Sequence, residues 1–301
     1  MSGGRYAGPV VDAHHHFWDP RINHHPWLTE AGVIPFRYGD YRAIRRPYLP
    51  DEYRVDVAGH NLVGSVYVET EWDPRDPLGE VGYATLLRER HGLPDAVVGQ
   101  AWLDREDVAE VLAGHAASAL VRSVRHKPGG PKAPGEPGPT LMSDAGWRRG
   151  YALLARHGLH FDLQTPWWTL HEAVRLAGDF PETLIILNHT GLPADRSAEG
   201  LAGWREAMAR LADCANVVVK VSGLGVRGQP WAAGRTAWII REVVALFGPE
   251  RVMFASNFPV DSLCASFDEI YSGFKSAVAD RPEPEQRAMF CDNARRVYRI
   301  G

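Results

Sequence analysis

Residues 10–19 read VVDAHHHFWD, an apolar run that ends in three consecutive histidines. Its β-branched start is typical of a buried strand. Because residues i and i+2 of an extended chain point to the same side, His14 and His16 should project together while His15 points away. Such a pair suits metal binding or acid–base chemistry, whereas the alternative interpretation is a polar loop that merely contains three histidines.

Similar short runs recur along the chain, each followed by a stretch in which apolar residues recur every three or four positions. The predicted strands cover residues 10–14, 63–69, 96–102, 119–124, 160–164, 184–189, 217–222 and 252–256. The predicted helices cover residues 79–91, 105–117, 144–157, 200–212, 232–247, 267–279 and 283–298. This alternation predicts an α/β fold, a single (β/α)8 TIM-barrel domain over residues 1–301. A doubly wound dinucleotide-binding sheet is disfavoured, because no GxGxxG follows the first strand.

Two long segments interrupt this alternation. Residues 17–48 are rich in Trp, Tyr, Pro and Arg, and residues 128–139 read PGGPKAPGEPGP. They follow the first and fourth strands, so both should emerge at the C-terminal face, where barrel enzymes build their sites. We expect them to form lids over the site, although the second could instead be a loose surface loop.

The composition restricts the partners and the compartment. A chain of 301 residues with 45% hydrophobic residues can bury a large core, and its net charge of −4 offers no basic surface to nucleic acid or anionic lipid. We find no membrane-crossing apolar run and no signal sequence, so we expect a cytoplasmic protein that acts on a small molecule. Cys214, Cys264 and Cys291 lack metal-site spacing and should be reduced packing residues. A homo-oligomer is compatible with these features.

Two later strand ends carry further polar residues. In LIILNHTG (184–191), His189 ends a strand-like run and Gly191 then allows a sharp turn, so the imidazole should point into the barrel mouth. In RVMFASNFPVD (251–261), the eighth strand ends at Asn257, because Pro259 prevents its extension. These ends should lie at the same face of the barrel as His14 and His16.

The motifs, taken in order, resemble those of the amidohydrolase superfamily, and more narrowly the amidohydrolase-2 group of sugar-lactone and 2-pyrone-4,6-dicarboxylate lactonases. The resemblance runs from VDAHHHFWD through PWL (26–28), LNHTGLP, VKVSGLG and SNFPVD. It implies that His14 and His16 are the paired histidines of the family and that His189 is the strand-6 histidine. It also implies a divalent metal, Zn2+ or Mn2+, as a candidate cofactor on these three side chains, and otherwise none.

Asn257 departs from the family, which has an aspartate at this position of strand 8. A neutral carboxamide has no basicity with which to take a proton from water. Three explanations are open: Asp261 swings back into the site as the base, a histidine such as His189 or His14 serves as the base, or the protein binds a ligand without turning it over. The carboxamide also weakens a two-histidine metal site unless His189, Glu69 or Glu71 joins it.

Five other residues are candidates for substrate binding. Arg125, at the end of strand 4, could hold a carboxylate in a bidentate grip, and Arg122 lies on the same strand. Lys220 stands in an apolar strand, so it must pair or face a polar cavity, where it could polarise a carbonyl. Glu69 lies on strand 2, and Trp18 belongs with Trp27, Trp72, Trp167 and Trp168 to a set of tryptophans that could line the pocket.

The main hypothesis is therefore a hydrolase that opens a cyclic ester, a sugar lactone or a carboxylated lactone, by attack of an activated water. One alternative is amide hydrolysis or metal-dependent decarboxylation on the same barrel. Another alternative, from a different class, is a non-catalytic barrel that binds a small molecule.

Overall fold

The computed structural model describes residues 6–30, 32–231 and 235–301. Eight parallel strands are hydrogen-bonded in sequence order. They are β1 (Val10–His15), β2 (Leu62–Val68), β3 (Ala96–Gln100), β4 (Val121–Arg125), β5 (His160–Leu163), β6 (Ile185–Leu187), β7 (Val217–Val221) and β8 (Val252–Phe254). The segment after β8 returns to β1, where the Asn257 N–H donates to the His14 carbonyl at 2.8 Å and the His16 N–H donates to the Phe258 carbonyl at 2.7 Å. These bonds close the sheet, and the TIM barrel is confirmed.

Helices surround the barrel and connect its strands. They are α1 (Pro26–Thr29), α2 (Pro50–Val57), α3 (Gly79–His91), α4 (Val108–Ala117), α5 (Ala145–Tyr151), α6 (Leu153–Arg156), α7 (Leu170–Asp179), α8 (Ala198–Ala212), α9 (Thr236–Phe247), α10 (Phe267–Ala277), α11 (Glu283–Arg287) and α12 (Asn293–Tyr298). The sequence did not predict α2 or α7, and the predicted helix 144–157 is divided into α5 and α6. Residues 232–234 of the predicted helix 232–247 lie outside the described residues. No helix in the described ranges is long and apolar enough to span a bilayer.

Apolar side chains form one core inside the barrel. Inward-facing side chains of alternate strand positions pack there with residues of the C-terminal helix, among them Ala13, Val68, Val98, Ile186, Val218, Met253, Ala294 and Tyr298. This core closes the N-terminal end of the barrel, so the opposite end is left to carry the site.

Strand β1 contains a bulge beside the histidines. Asp12 pairs with Ser65 and His15 with Tyr67, so three steps on β1 match two steps on β2. The extra residue changes the alternation, because Ala13 packs into the barrel core while the His15 ring stacks on Tyr53 of α2, outside the barrel. His14 and His16 consequently face inward and His15 faces outward, as the two-residue spacing predicted.

Several strands end earlier than predicted, because the chain turns sharply at the barrel mouth. Glu69, His189 and Asn257 follow the last residues of β2, β6 and β8. The backbone of His189 and of Asn257 is left-handed, with φ of 53° and 57°. A left-handed residue cannot continue a strand, and the turn aims the side chain at the barrel axis.

Candidate active site

Three of the predicted residues form one cluster of rings at the barrel mouth. The His14 ring lies 5.0 Å from that of His16 and 4.7 Å from that of His189, measured between ring centroids. All three side chains are buried, and His14 is fully enclosed. Neither ring nitrogen of His14 has a hydrogen-bond partner among the described residues. Buried polar atoms are normally bonded, so this arrangement points to a bound group that would complete the cluster.

The tautomer of His16 follows from its surroundings. Its Nδ1 lies 2.7 Å from the Val68 carbonyl oxygen, which can only accept, so Nδ1 carries the hydrogen. Burial, followed by the nearby Arg125, lowers the pKa of His16 to about 3. The ring is therefore neutral at neutral pH, and Nε2 presents a lone pair to the cavity.

Asn257 is oriented by Asp261, which lies behind it. The Asn257 Nδ2 donates to Asp261 Oδ1 at 2.6 Å, and the Tyr38 hydroxyl donates to the same oxygen at 2.9 Å. Burial raises the pKa of Asp261, and the nearby Arg37 opposes this shift. Because Asp261 Oδ1 accepts from Tyr38 and from Asn257, the amide nitrogen faces Asp261 and the amide oxygen faces His16. Asp261 is buried and is not among the described residues that line the cavity. This position suits a residue that orients Asn257. It suits less well the base that takes a proton from water, which was one predicted role of Asp261.

His16 and Asn257 thus present two acceptors to the same point. Asn257 Oδ1 and His16 Nε2 are 3.3 Å apart, and each has its hydrogen-bearing side held elsewhere. Two acceptors at this distance repel unless a donor or a cation lies between them. With bonds of about 2.1 Å, two ligands of a tetrahedral zinc ion stand about 3.4 Å apart. The pair, together with the unpartnered nitrogens of His14, therefore fits a divalent metal.

The structure also limits that interpretation. In the described part of the chain, no three His, Cys, Asp or Glu side chains are already arranged as metal ligands. A metal here would depend on the carboxamide oxygen of Asn257 and on small movements of the imidazoles of His14 and His189. Burial lowers the pKa of both of these histidines well below the ordinary value, which keeps them in the neutral form that binds metals.

His189 is held by Ser222 and by a strained backbone. Its Nδ1 lies 2.8 Å from the Ser222 hydroxyl, and both His189 and Thr190 have left-handed φ values, 53° and 51°. Such residues cost on the order of 1–3 kcal/mol each and concentrate at functional sites. A Cβ on Gly223 would stand 3.0 Å from His189 Nδ1 and would collide with Arg37, so only glycine allows this approach.

Arg125 and Glu69 reach the mouth but pair with each other. The guanidinium of Arg125 therefore has its N–H groups bonded within the protein, where we had predicted a bidentate grip on a substrate carboxylate. The Arg125 Nε donates to Glu69 Oε1, Nη2 donates to the Glu69 carbonyl at 2.6 Å, and Nη1 donates to Gln164 at 2.9 Å. Both charged side chains are buried. The pair forms a wall of the cavity whose charges already balance.

Lys220, a predicted substrate-binding residue, lies below the mouth and is not among the described residues that line either the histidine cavity or the wider cleft. Its Nζ donates to Asp162 Oδ1 at 2.6 Å, and both side chains are completely buried. Asp162 also accepts from the Asn188 amide at 2.8 Å and from the Tyr298 hydroxyl at 3.0 Å. A lysine in a barrel interior needs a counter-charge, as the sequence predicted. Asp162 supplies that counter-charge from within the protein.

Arg122 is also misplaced by the prediction. Because β4 begins at Val121, Arg122 lies near the N-terminal end of the strand, where it donates to the Ala119 and Val121 carbonyls at 2.7 and 3.0 Å. Trp18 does line the cavity, stacking 6.0 Å from the His16 ring, but its indole N–H donates to the Arg46 carbonyl at 2.9 Å. Trp18 therefore offers only an apolar face.

The cavity above the histidines has a volume of about 300 Å3. His16, His189 and Asn257 form its floor, and Trp18, Trp27, Ile34, Pro35, Phe36 and Arg37 of the predicted first lid line its side. The second predicted lid, residues 128–139, does not line it, and the Pro131 carbonyl instead accepts from Trp168. A wider cleft of about 520 Å3 shares the wall at Arg125 and is lined by Trp27, Trp72 and Trp102.

Three residues around the site were not predicted from the sequence. Ser222 follows β7 and could have been found as an inward position two residues after Lys220. Arg37 and Tyr38 come from the irregular first loop, for which the sequence provides no periodic signal.

The comparisons with known proteins agree with this geometry. A model of the amidohydrolase family matches residues 11–300. An uncharacterised protein of Sinorhizobium fredii, y4mH, is 39% identical over 296 residues, covering 97% of this chain and 98% of that protein. An L-fucono-1,5-lactonase of Burkholderia multivorans is 29% identical, with 96% of each chain covered.

A solved amidohydrolase structure from Burkholderia multivorans, with bound zinc, is also similar. It superposes with a TM-score of 0.81 at 27% identity and covers 98% of this chain and 100% of its own. Because the family match spans nearly the whole sequence and the barrel mouth carries the paired histidines, the chain belongs to the amidohydrolase family.

Proposed function

We propose that the chain hydrolyses a cyclic ester, a lactone of a sugar acid or a carboxylated lactone, at the mouth of the barrel. The observation that carries the proposal is the pair of acceptors, His16 Nε2 and Asn257 Oδ1, 3.3 Å apart and each fixed from behind. The similarity to an L-fucono-1,5-lactonase over 96% of both chains supports an ester rather than an amide as the substrate.

The pair orients the attacking water. A water that donates one hydrogen to His16 Nε2 and the other to Asn257 Oδ1 keeps a lone pair free for the ester carbonyl carbon. As the new C–O bond forms, His16 accepts the proton and shares its Nδ1–H with Val68. Burial is the largest cause of the low pKa of His16. Negative charge that develops on the substrate favours the protonated ring and so raises this pKa during the reaction.

The remaining steps use the cavity wall. The carbonyl oxygen becomes an oxyanion, and the guanidinium group of Arg37, which lines the cavity, stabilises its charge. When the tetrahedral intermediate collapses, the bond to the ring oxygen breaks and His16 returns its proton to that oxygen. The product is an open-chain hydroxy acid.

If a divalent metal were bound, His16 Nε2 and Asn257 Oδ1 would hold it together with His14 and His189, and His16 would then be a ligand and not the base. Zn2+ or Mn2+ bound there would lower the pKa of a water and polarise the ester carbonyl.

The test is a panel of five- and six-membered sugar lactones, assayed by proton release. The protein is assayed after treatment with a chelator that removes metal, and again after Zn2+ or Mn2+ is added back. We expect hydrolysis of at least one lactone and a loss of at least about 100-fold in kcat/KM for Asn257→Leu, which keeps the side-chain size but removes the acceptor. Val260→Ala, which alters an apolar residue of the same cavity, should stay within a few-fold of the wild type.

Two outcomes would overturn the proposal. If no lactone is hydrolysed with or without metal while lactones still bind, the protein is a binding barrel. If Asn257→Leu retains full activity, the acceptor pair does not orient the water.

A further inference from the structure

The wider cleft beside the histidines is lined by three tryptophans. We call it the tryptophan cleft, after Trp27, Trp72 and Trp102, and we call the cavity above His16 and His189 the histidine cavity. The tryptophan cleft has a volume of about 520 Å3, and ligand pockets commonly have volumes of about 300–1,000 Å3. All three tryptophans are partly exposed. Because clustered apolar surface is normally covered, these indoles point to a ligand that covers them.

Each of the three indoles is held in place by the fold. The Trp27 Nε1 donates to a backbone carbonyl at 2.8 Å. The Trp72 ring lies 6.0 Å from that of Tyr83, and the Arg105 guanidinium lies 5.3 Å from the centre of the Trp102 ring. Rings that are already fixed lose little conformational entropy when a ligand binds, so they suit a flat apolar face of a ligand.

Gln100 gives the cleft an acceptor. The side chains of Ala96 and Val98 pack inside the barrel, so Gln100, at the end of β3, faces inward as well. Gln100 lines the cleft, and its Oε1 is buried without a hydrogen-bond partner among the described residues. Buried amide oxygens are normally bonded, so a hydroxyl group of a ligand would complete this one.

His126 gives the cleft a donor. Its Nδ1 accepts from the Leu103 N–H at 3.1 Å and from the Trp147 indole N–H at 3.0 Å. The hydrogen of the neutral ring is therefore on Nε2. Burial lowers the pKa of His126, which favours this neutral form. Because His126 lines the cleft, its Nε2–H is available to an oxygen atom of a ligand.

The charges of the cleft favour a neutral ligand. Among the described residues that line it, the acidic side chains are those of Glu30, Glu69 and Glu71, and the basic ones are those of Arg125 and Lys127. Arg125 pairs with Glu69, and Lys127 pairs with Glu71. Both cations in the described part of the cleft are thus already balanced, so the cleft does not favour an anion.

Glu71 and Lys127 stand at the boundary between the cleft and the histidine cavity. The two residues line both, and their side chains are 37% and 40% exposed. An ion pair this exposed contributes little to stability, so a ligand can displace it easily or bond to it. A molecule in the histidine cavity can therefore extend past this pair into the tryptophan cleft.

We propose that the tryptophan cleft binds a neutral pyranose ring that is joined by a glycosidic bond to the lactone in the histidine cavity. The C–H faces of a pyranose pack on indole rings, and its hydroxyl groups can donate to Gln100 and accept from His126. A benzene ring could use the indoles but not these two polar groups. The inference rests on the proposed function and specifies its substrate class: the lactone of a disaccharide acid, not that of a single sugar acid.

Binding is measured by calorimetry without turnover, so that a failure of the lactonase hypothesis does not decide the result. The probes are cellobiose, lactose and maltose, with benzyl alcohol as the aromatic comparison. The proteins are the wild type, Trp102→Leu, Trp102→Phe, Gln100→Met and Trp238→Leu. Trp238, on α9, is partly exposed and is not among the described residues that line either cavity, so Trp238→Leu controls for the loss of an indole.

We expect at least one disaccharide to bind to the wild type and to Trp238→Leu with the same affinity. Its affinity should fall about 10-fold in Trp102→Leu, less in Trp102→Phe, and about 3-fold or more in Gln100→Met. The absence of disaccharide binding to the wild type, or one affinity for all five proteins, would overturn the proposal. So would benzyl alcohol binding as tightly as the best disaccharide, because the cleft would then be an apolar site.

A kinetic comparison supplies the second readout. The substrates are the 1,5-lactones of cellobionic, lactobionic and maltobionic acids, each compared with that of gluconic acid. Trp102→Leu should lower kcat/KM for the best disaccharide lactone about 10-fold more than for the gluconic lactone. An equal loss on both would mean that Trp102 only supports the fold, and would refute the inference. If the wild type hydrolyses no lactone, the proposed function fails, and the calorimetric result decides the inference by itself.

Discussion

Two polar clusters lie inside the same barrel, and they differ in how many of their polar atoms are hydrogen-bonded. In the lower cluster, Asp162 accepts from Lys220, Asn188 and Tyr298. In the upper cluster, both ring nitrogens of His14 are without a partner in the described part of the chain. Both clusters are buried, so burial alone does not distinguish a structural group from a functional one. In the lower cluster both charged groups are paired and only the Asn188 Oδ1 lacks a partner among the described residues, whereas neither ring nitrogen of His14 has one.

The backbone differs in the same way. Asp162 and Lys220 lie within regular strands. Around the mouth, Glu71, His189, Thr190, Leu192 and Asn257 have φ between 51° and 58°. Five of the seven non-glycine residues with left-handed φ in the described ranges thus lie around the mouth, the other two being Arg235 and Arg299, as expected where the fold holds side chains ready for a ligand.

The largest effect that would test this contrast is expected from His16→Gln. The variant replaces the basic Nε2 with an amide that cannot take up a proton, so kcat/KM should fall by about 1,000-fold or more, which corresponds to about 4 kcal/mol. The lost bond to the Val68 carbonyl should lower the free energy of unfolding by only about 1 kcal/mol. His115→Gln is the matched control, because His115 is buried outside the site and bonds to the Gln100 carbonyl. It should lose stability and keep activity, and the reverse result would contradict the assignment.

The lower cluster should respond in the opposite sense. Lys220→Met leaves the Asp162 carboxylate buried without its counter-charge, so the free energy of unfolding should fall by about 3–5 kcal/mol in a denaturant titration. The double variant Lys220→Met with Asp162→Leu should recover only part of that loss, because the Asn188 amide and the Tyr298 hydroxyl then lose their acceptor. If Lys220→Met were as stable as the wild type but inactive, Lys220 would belong to the active site after all.

Asp261 connects the contrast to the catalytic geometry. Asp261→Asn weakens the acceptor that orients Asn257, so we expect kcat to fall about 10- to 100-fold with little change in KM. Exchanging the two residues, with Asn257→Asp in the same variant, restores a carboxylate next to a carboxamide and should recover part of the activity. No recovery, together with a large rise in KM, would argue against a positioning role.

The smallest expected effect concerns His25 in the first lid, an intermediate case. Its Nδ1 lies 2.9 Å from the Thr70 hydroxyl, while Nε2 has no partner in the described ranges. Burial lowers its pKa from 6.5 to about 4. The unfolded chain therefore takes up a proton below pH 6.5 that the folded chain does not, and stability falls as the pH drops from 6.5 to 4.

At pH 5.5, His25 should cost about 1 kcal/mol of stability relative to pH 7.5. Denaturant titrations at the two pH values should show that His25→Gln reduces the pH dependence by that amount. An unchanged pH dependence in this variant would mean that His25 is not buried in its neutral form.

The sequence predicted the barrel well, because buried strands and amphipathic helices leave periodic patterns that are local. It also located His14, His16, His189 and Asn257 at the mouth, since strand ends of a parallel barrel meet at one face. It did not separate Lys220 from the site, because a charged residue in an apolar strand signals a polar partner without saying whether that partner is a ligand or Asp162.

The prediction was weakest for residues whose partners come from distant parts of the chain. Arg125 was read as a free carboxylate clamp, but Glu69, 56 residues earlier, occupies it. Arg122 was assigned to the wrong end of its strand, because the start of β4 was placed two residues too early. Arg37 lies in an irregular segment, and only the folded chain brings it to the cavity.

The bulge in β1 has a consequence for protein engineering. In a regular strand, two consecutive residues such as Ala13 and His14 face opposite sides. The bulge in β1 lets both of them face inward, and it therefore sets the position of His14 along the barrel axis. Grafting the two histidines alone onto another barrel would therefore reproduce the motif without the extra residue that positions it in the strand. A transplant should carry residues 12–16 together with a small side chain at the position of Ala13, so that the recipient barrel inherits the spacing as well as the ligands.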